Sequence, residues 1–278
     1  MIDSKRSADV DGLFGPGSVT WLVDREAAVL LGSGARALLL QVAHPLVAAA
    51  VADHSRYRSD PLGRLRDTLD AIYSFAFAET PHAVAVVESV TRLHEAVRGH
   101  APDGRSYSAL DSSLLLWVYA TLIDSSLLAY ETFVQPLTAA QRDAYFAEFR
   151  RNGALWGIAD AQFPHSVQDL RDWMAGLIAS GEVHVTPQGR HVGRFILQPR
   201  VWWLPTPLAV PLSLITIWLL PPELRAGFGF TWGPRRERLM RFVACASRAI
   251  VPRLPRLLRD LPVARAADRR VTAYRANR

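Results

Sequence analysis

Capping residues followed by proline divide this chain into helices, and almost nothing between them reads as a strand. Apolar residues recur at three- and four-residue intervals along most of its length, while alternation of period two is scarce. Asp60-Pro61, Thr80-Pro81 and Thr186-Pro187 each set a capping side chain before a proline. Proline suits the first helical position because its missing N–H would be unpaired there and its φ is already helical. The pattern predicts helices over about 19–43, 46–52, 61–77, 80–98, 112–133, 138–151, 166–180 and 235–251, with further starts at 187 and after 253. His44-Pro45 should kink the first, since the proline nitrogen cannot donate to the Gln41 carbonyl. HAPDGRSYSAL reads as a loop leading to Asp111, an N-cap. The expected fold is all-α: one multi-helix bundle domain of about nine to eleven helices over residues 18–260, enclosing an apolar pocket. A polar leader (1–17) and a basic tail (261–278) flank it.

Composition removes many kinds of chemistry. Half of the 278 residues are hydrophobic, which excludes disorder. Of 32 basic residues only Lys5 is a lysine, leaving 31 arginines. No interior lysine is available for a Schiff base, a phosphate-binding P-loop or a kinase-type ion pair. The single cysteine, Cys245, excludes an intrachain disulfide, a CxxC pair, a cysteine zinc site and an intrachain iron–sulfur cluster. HExxH, GxSxG and a strand-borne GxGxxG are missing from the sequence.

The net charge of +6 is unevenly spread. Trp232–Arg278 holds 13 arginines against Glu237, Asp260 and Asp268, a net of +10, so the remainder is at −4. No zinc-finger, helix-turn-helix or RNP signature accompanies the basic stretch, and no nucleic-acid partner is expected. The first 17 residues have no apolar core of a signal peptide, and with one cysteine a cytoplasmic location is expected. Residues 201–222 carry no charge, but Pro205, Pro207, Pro211, Pro221 and Pro222 argue against a continuous span. A buried helix with a Trp202-Trp203 lead-in is expected there. Peripheral membrane contact through 201–222 and the basic tail is the competing reading.

Two histidines sit in apolar company. On a helix, Val86, Val87, Val90, Leu93 and Val97 form a stripe that includes His94. An imidazole there needs a carbonyl, a carboxylate or a metal as partner, because burying it unpaired costs about 1–3 kcal/mol. His44 lies among aliphatics in LLLQVAHPLVAAAV, with the Gln41 carbonyl as a candidate partner. Arg64, Thr68, Ala71 and Phe75 share a helix face. An arginine and a threonine on such a face fit a haem propionate, a substrate carboxylate or a glutamate. Asp124, in YATLIDSSLLAYE, is expected to pair with a core arginine or to act near a cofactor.

Taken as a set, GPGSVTWLVDREAAVLLGSGARALLLQVAHPLVAAAVADHS, YRSDPLGRLRDT, VTRLHEAVRG and LDSSLLLWVYAT resemble the haem-dependent oxygenases of the MpaB and latex-clearing-protein type. The resemblance covers about residues 15–157 and continues more weakly through LLPPELRAGFGFTW. It implies an all-α protein that binds haem b and oxidises a hydrophobic small molecule, isoprenoid or otherwise apolar, with dioxygen. His94 inherits the proximal iron ligand, and Arg98, Arg64 and Thr68 inherit haem-pocket positions. Latex-clearing proteins carry a lysine beside that threonine, whereas here the residue is Asp67. The distal side must therefore differ, with His44 the first candidate there and His54 the second. The departure weakens any transfer of rubber cleavage itself. The competing function is a non-catalytic helical binder of an apolar ligand or a membrane surface.

Overall fold

The computed structural model describes residues 2–197 and 206–277, so the expected Trp202-Trp203 lead-in lies outside the described residues. The fold is all-α. Fifteen α-helices are described: α1 (Ile2–Asp11), α2 (Val19–Asp24), α3 (Ala27–Ala43), α4 (Pro45–His54), α5 (Pro61–Phe77), α6 (Thr80–Glu95), α7 (Ser112–Phe133), α8 (Ala139–Asn152), α9 (Val167–Ala179), α10 (Pro187–Leu197), α11 (Thr206–Leu219), α12 (Pro222–Gly227), α13 (Pro234–Ile250), α14 (Arg256–Arg259) and α15 (Pro262–Ala276). Two short strands, β1 (Arg98–His100) and β2 (Ser106–Ser108), pair antiparallel between α6 and α7.

Several starts use the expected chemistry. Asp60 Oδ1 accepts from the Gly63 N–H at 2.9 Å ahead of Pro61. Asp111 caps Ser113 at 2.8 Å, and Thr138 forms a reciprocal box with Gln141. The helices outnumber the expected nine to eleven because one long run is broken in two and because α1, α12 and α15 lie outside the expected runs. The run over 19–43 breaks at Arg25-Glu26, where Glu26 is extended and bridges the backbone of Asp260. Charge fixes that break: Arg25 reaches Asp260 (2.9 Å) and Asp268, while Arg259 reaches buried Glu26 (3.0 Å). At His44-Pro45 the axis turns by 104° between α3 and α4.

The core is built on α7 packed along α3. Leu39, Leu40, Trp117, Ile123, Leu127 and Tyr130 are almost fully buried. Alone among the described helices, α7 is long and apolar enough to cross a bilayer by length and composition, and 61% of its apolar window is buried inside the protein. Arg36 and Asp124 meet inside this pair. Arg36 Nη2 donates to Asp124 at 2.8 Å, its Nη1 to Ser125 at 2.7 Å and its Nε to the Leu219 carbonyl at 2.8 Å. Arg171 adds a bond to Asp124 at 2.9 Å. Burial pushes the Asp124 carboxyl up, but the two arginines outweigh it and hold it below the usual carboxylate range. This is the core-arginine partner expected for Asp124.

Both ends of the chain are helical. Helix α1 packs on α6 and α15, and α15 also packs on α5. Arg270, on α15, donates to the Val10 and Phe77 carbonyls at 3.1 and 2.8 Å. Helix α11 packs on α3 and α13 and contains Pro211.

Candidate functional site

Helices α5 and α6 are joined by two residues and pack against each other, which puts Arg64 and Thr68 beside the end of α6. The i,i+4 spacing works as expected. Arg64 Nη1 donates to Thr68 Oγ1 at 2.5 Å, and the same hydroxyl donates to the Arg64 carbonyl at 2.7 Å. Thr68 thus ties the side chain of Arg64 to its own helix. Arg64 is exposed by area, yet desolvation lowers the pKa of its guanidinium, with Arg56 acting the same way and Asp67 opposing. The nearest acidic charge is already engaged, since Asp67 pairs with Arg56 at 2.9 Å. Among the described residues no carboxylate forms an ion pair with Arg64, so its partner is a neutral hydroxyl.

His94 is half-buried in the last turn of α6. Desolvation lowers its pKa first, and the charge of Arg64 lowers it further. At neutral pH the ring is therefore neutral, with one nitrogen carrying a free lone pair. Among the described residues neither ring nitrogen forms a hydrogen bond. The surrounding stripe departs from expectation: Val87 is buried but Leu93 is 69% exposed. Helix α6 stops at Glu95, so Arg98 does not lie one turn on along the same helix. It is exposed on β1, opposite Ser108. The hairpin exists because Gly99 lies against Tyr107: a Cβ at Gly99 would come within 2.6 Å of the Tyr107 hydroxyl. That hydroxyl donates to Asp53 at 2.6 Å, fastening the hairpin to α4.

His44 and His54 belong to the α4 side. His44 is 4% exposed, and its Nδ1 accepts from the Leu46 N–H at 3.3 Å. The Gln41 carbonyl, its expected partner, accepts from the His44 backbone instead at 3.2 Å. His54 is exposed and meets the Tyr107 ring edge-on at 6.1 Å. Among the described residues no hydrogen bond or ion pair links either histidine to His94 or Arg64. What the sequence reading missed is Arg56, which occupies Asp67 and so leaves Arg64 without a carboxylate. Its distance in sequence from Asp67 spans a turn and a helix start, where periodicity says nothing.

The buried His44 titrates in an informative way. Desolvation first, then the charge of Arg105, lowers its pKa from 6.5 to about 4. The neutral ring it holds contributes stability that is complete above 6.5 and is lost as pH falls through about 4. Across that window the loss is on the order of 3 kcal/mol. His44→Asn keeps a capping side chain and removes the titration. The variant should lose less stability than the parent in urea melts between those two pH values. An unchanged difference across the window would contradict a buried neutral His44. Taking the difference also cancels Asp24 and Glu26, whose carboxyls are raised by burial to about 7 and contribute in the opposite direction.

Among the described residues no group of three or more His, Cys, Asp or Glu side chains converges to hold a metal ion. A centre that takes a single protein ligand is the arrangement His94 could serve. The family described as "ER-bound oxygenase mpaB/B'/Rubber oxygenase, catalytic domain" matches residues 21–249. Two mycobacterial proteins are similar to the chain, uncharacterized protein Rv2237 of Mycobacterium tuberculosis and uncharacterized protein Mb2261 of Mycobacterium bovis. Each is 25% identical over 209 residues, covering 72% of this chain and 80% of the relative. No solved structure matches the chain.

Proposed function

The chain belongs to the mpaB and rubber oxygenase catalytic-domain family, and from that premise we propose that it is a haem-b-dependent oxygenase of a hydrophobic small molecule. The observation that carries this reading is the pairing on α5 and α6 of a partnerless neutral imidazole, His94, with a desolvated guanidinium, Arg64, that has no carboxylate of its own. An imidazole with a free lone pair is a group that could hold iron. A guanidinium that protein crowds and no acid neutralises suits a propionate, which it can hold by two parallel hydrogen bonds. The chemical character of the two groups thus fits haem.

His94 would hold the iron and Arg64 a propionate, with Thr68 fixing the guanidinium by its paired hydrogen bonds. Haem, when bound, supplies the activation of dioxygen; the chain supplies the ligand, the orientation and the apolar surroundings. Arg98, exposed on β1, is in our reading a second cation toward a propionate, reached across the hairpin rather than along α6. His44 has its Nδ1 committed to the start of α4, which supports a role in shaping that side over one in proton transfer. His54, exposed beside Tyr107, is the imidazole on α4 that solvent reaches. No lysine lies beside Thr68, because Asp67 stands there and pairs with Arg56. That difference separates the proposed reaction from lysine-assisted rubber cleavage. An apolar substrate follows from the family's rubber-oxygenase description, not from a cavity seen here.

Arg64→Met tests the propionate contact. Losing a charge-assisted hydrogen bond of about 1.5–3 kcal/mol should weaken hemin binding by roughly tenfold to a hundredfold. Arg64→Lys should recover only part of it, because an ammonium cannot present a planar fork. Hemin affinity equal to the parent in Arg64→Met would remove Arg64 from the site.

A further inference from the structure

Exposed large apolar side chains are concentrated in one short stretch of this protein. Phe242 (70%), Ile250 (56%), Leu257 (71%) and Leu258 (68%) all lie between the middle of α13 and α14. On α13 the spacing puts Leu239, Phe242 and Ala249 on one outward face, opposite buried Met240 and Ala244. Arg241 and Arg248, seven residues apart, run along one edge of that face, and both are exposed. Arg253 and Arg256 flank the turn that presents Leu257 and Leu258. The acidic residues of the region are already occupied. Glu237 pairs with Arg241 at 2.9 Å and accepts from Trp218 and Trp232, while Asp260 and Asp268 are held by Arg25. Arg241 is thus paired, while Arg248, Arg253 and Arg256 form no ion pair among the described residues.

We propose that the outward face of α13 and α14 docks on an anionic lipid surface, with Phe242, Leu257 and Leu258 entering the interface and the flanking arginines meeting headgroup phosphates. Apolar residues surrounded by fixed positive charge are what an interfacial helix needs. A second copy of the chain is disfavoured, because a two-fold contact through this face would set arginines against arginines. A nucleic acid would use the arginines but leave the two leucines and Phe242 without a role. This surface differs from the uncharged 201–222 stretch as the point of contact, and it does not depend on the haem reading.

Co-sedimentation of the full chain with vesicles tests the assignment. The protein should pellet with mixed phosphatidylcholine and phosphatidylglycerol vesicles at low salt. It should stay in solution with phosphatidylcholine alone and be released from the mixed vesicles at high salt. Leu257→Ser/Leu258→Ser should reduce partitioning by about tenfold or more, since each buried leucine contributes more than a factor of ten. Arg248→Gln/Arg256→Gln should weaken it on anionic vesicles too, and all four positions are exposed, so the fold should tolerate them. Failure to pellet with anionic vesicles at low salt overturns the proposal. So does a stable dimer broken by Phe242→Glu that ignores vesicles. Binding to RNA that exceeds vesicle binding and survives the leucine changes would assign the face to a polyanion instead.

Discussion

Replacing His94 by alanine should remove the sharp protein-bound Soret band, leaving that of free hemin or one strongly shifted, while the fold stays intact. The residue is half-buried at the end of a helix and makes no side-chain hydrogen bond among the described residues, so removing its ring disturbs little packing. A structural role would give the opposite pattern, a lowered melting temperature with hemin absorption kept. Adding free imidazole to His94→Ala should restore part of the band, because the cavity left by the ring can admit the ligand. A hemin-loaded His94→Ala protein with the parent's spectrum and affinity would exclude His94 as the iron ligand. The far-UV spectrum and melting temperature, read alongside, separate loss of ligand from loss of fold.

The largest effect on stability is expected at Asp124→Ala. It leaves the Arg36 guanidinium buried in the α3–α7 interface, with a side chain only 5% exposed and its main counter-charge gone. Breaking a buried pair from one side costs about 3–5 kcal/mol. At roughly 2–4 °C per kcal/mol for a chain of this size, the melting temperature should fall by roughly 6–20 °C. Arg36 also donates to Ser125 and to the Leu219 carbonyl, so these would remain as partial compensation and place the loss toward the lower end. The double change Arg36→Met/Asp124→Leu should cost less than Asp124→Ala, because it removes both charges and keeps apolar volume. Thermal melts of the two variants decide this. A double variant less stable than the single one would mean that the ion pair itself, not the stranded charge, supplies the stability.

The fold class was legible because it is written locally. A capping side chain followed by proline acts within one turn, and each such start seen in the chain lies within a residue or so of an observed helix start. The break at Arg25-Glu26 was not legible, since the residues that make it, Asp260 and Arg259, lie more than two hundred positions away. Periodicity alone carries a helix straight through that point. The Arg64–Thr68 face was legible for the same local reason, as an i,i+4 pair must meet on a helix. Arg98 was misread because the end of α6 is set by the hairpin behind it. That hairpin depends on a contact between Tyr107 and Asp53, which no nearby pattern announces. Leu93 shows the same limit: its place on an apolar stripe predicted burial, yet no element covers it and it is 69% exposed. The partner of His44 was missed because the ring turns forward to the Leu46 N–H and not back to Gln41. A proline does free a carbonyl three to four residues back, but the backbone N–H of His44 takes the Gln41 carbonyl first.

Charge was the other legible layer. The count of one lysine and 31 arginines leaves no lysine beside Thr68, and the structure adds where the arginines act. Some hold the core, as Arg36 does; some fasten the C-terminal helix, as Arg25 and Arg270 do. Arg64 forms no ion pair among the described residues, and its side chain bonds to Thr68 instead. That cation, and the neutral His94 whose pKa it lowers, are the centre of the functional account. An optical titration of the purified full chain with hemin tests it most directly. The account predicts saturable one-to-one uptake, with a sharp Soret band that shifts on reduction and again on exposure to carbon monoxide. A colourless protein that takes up no hemin, or one whose spectrum stays that of free hemin throughout, would contradict it.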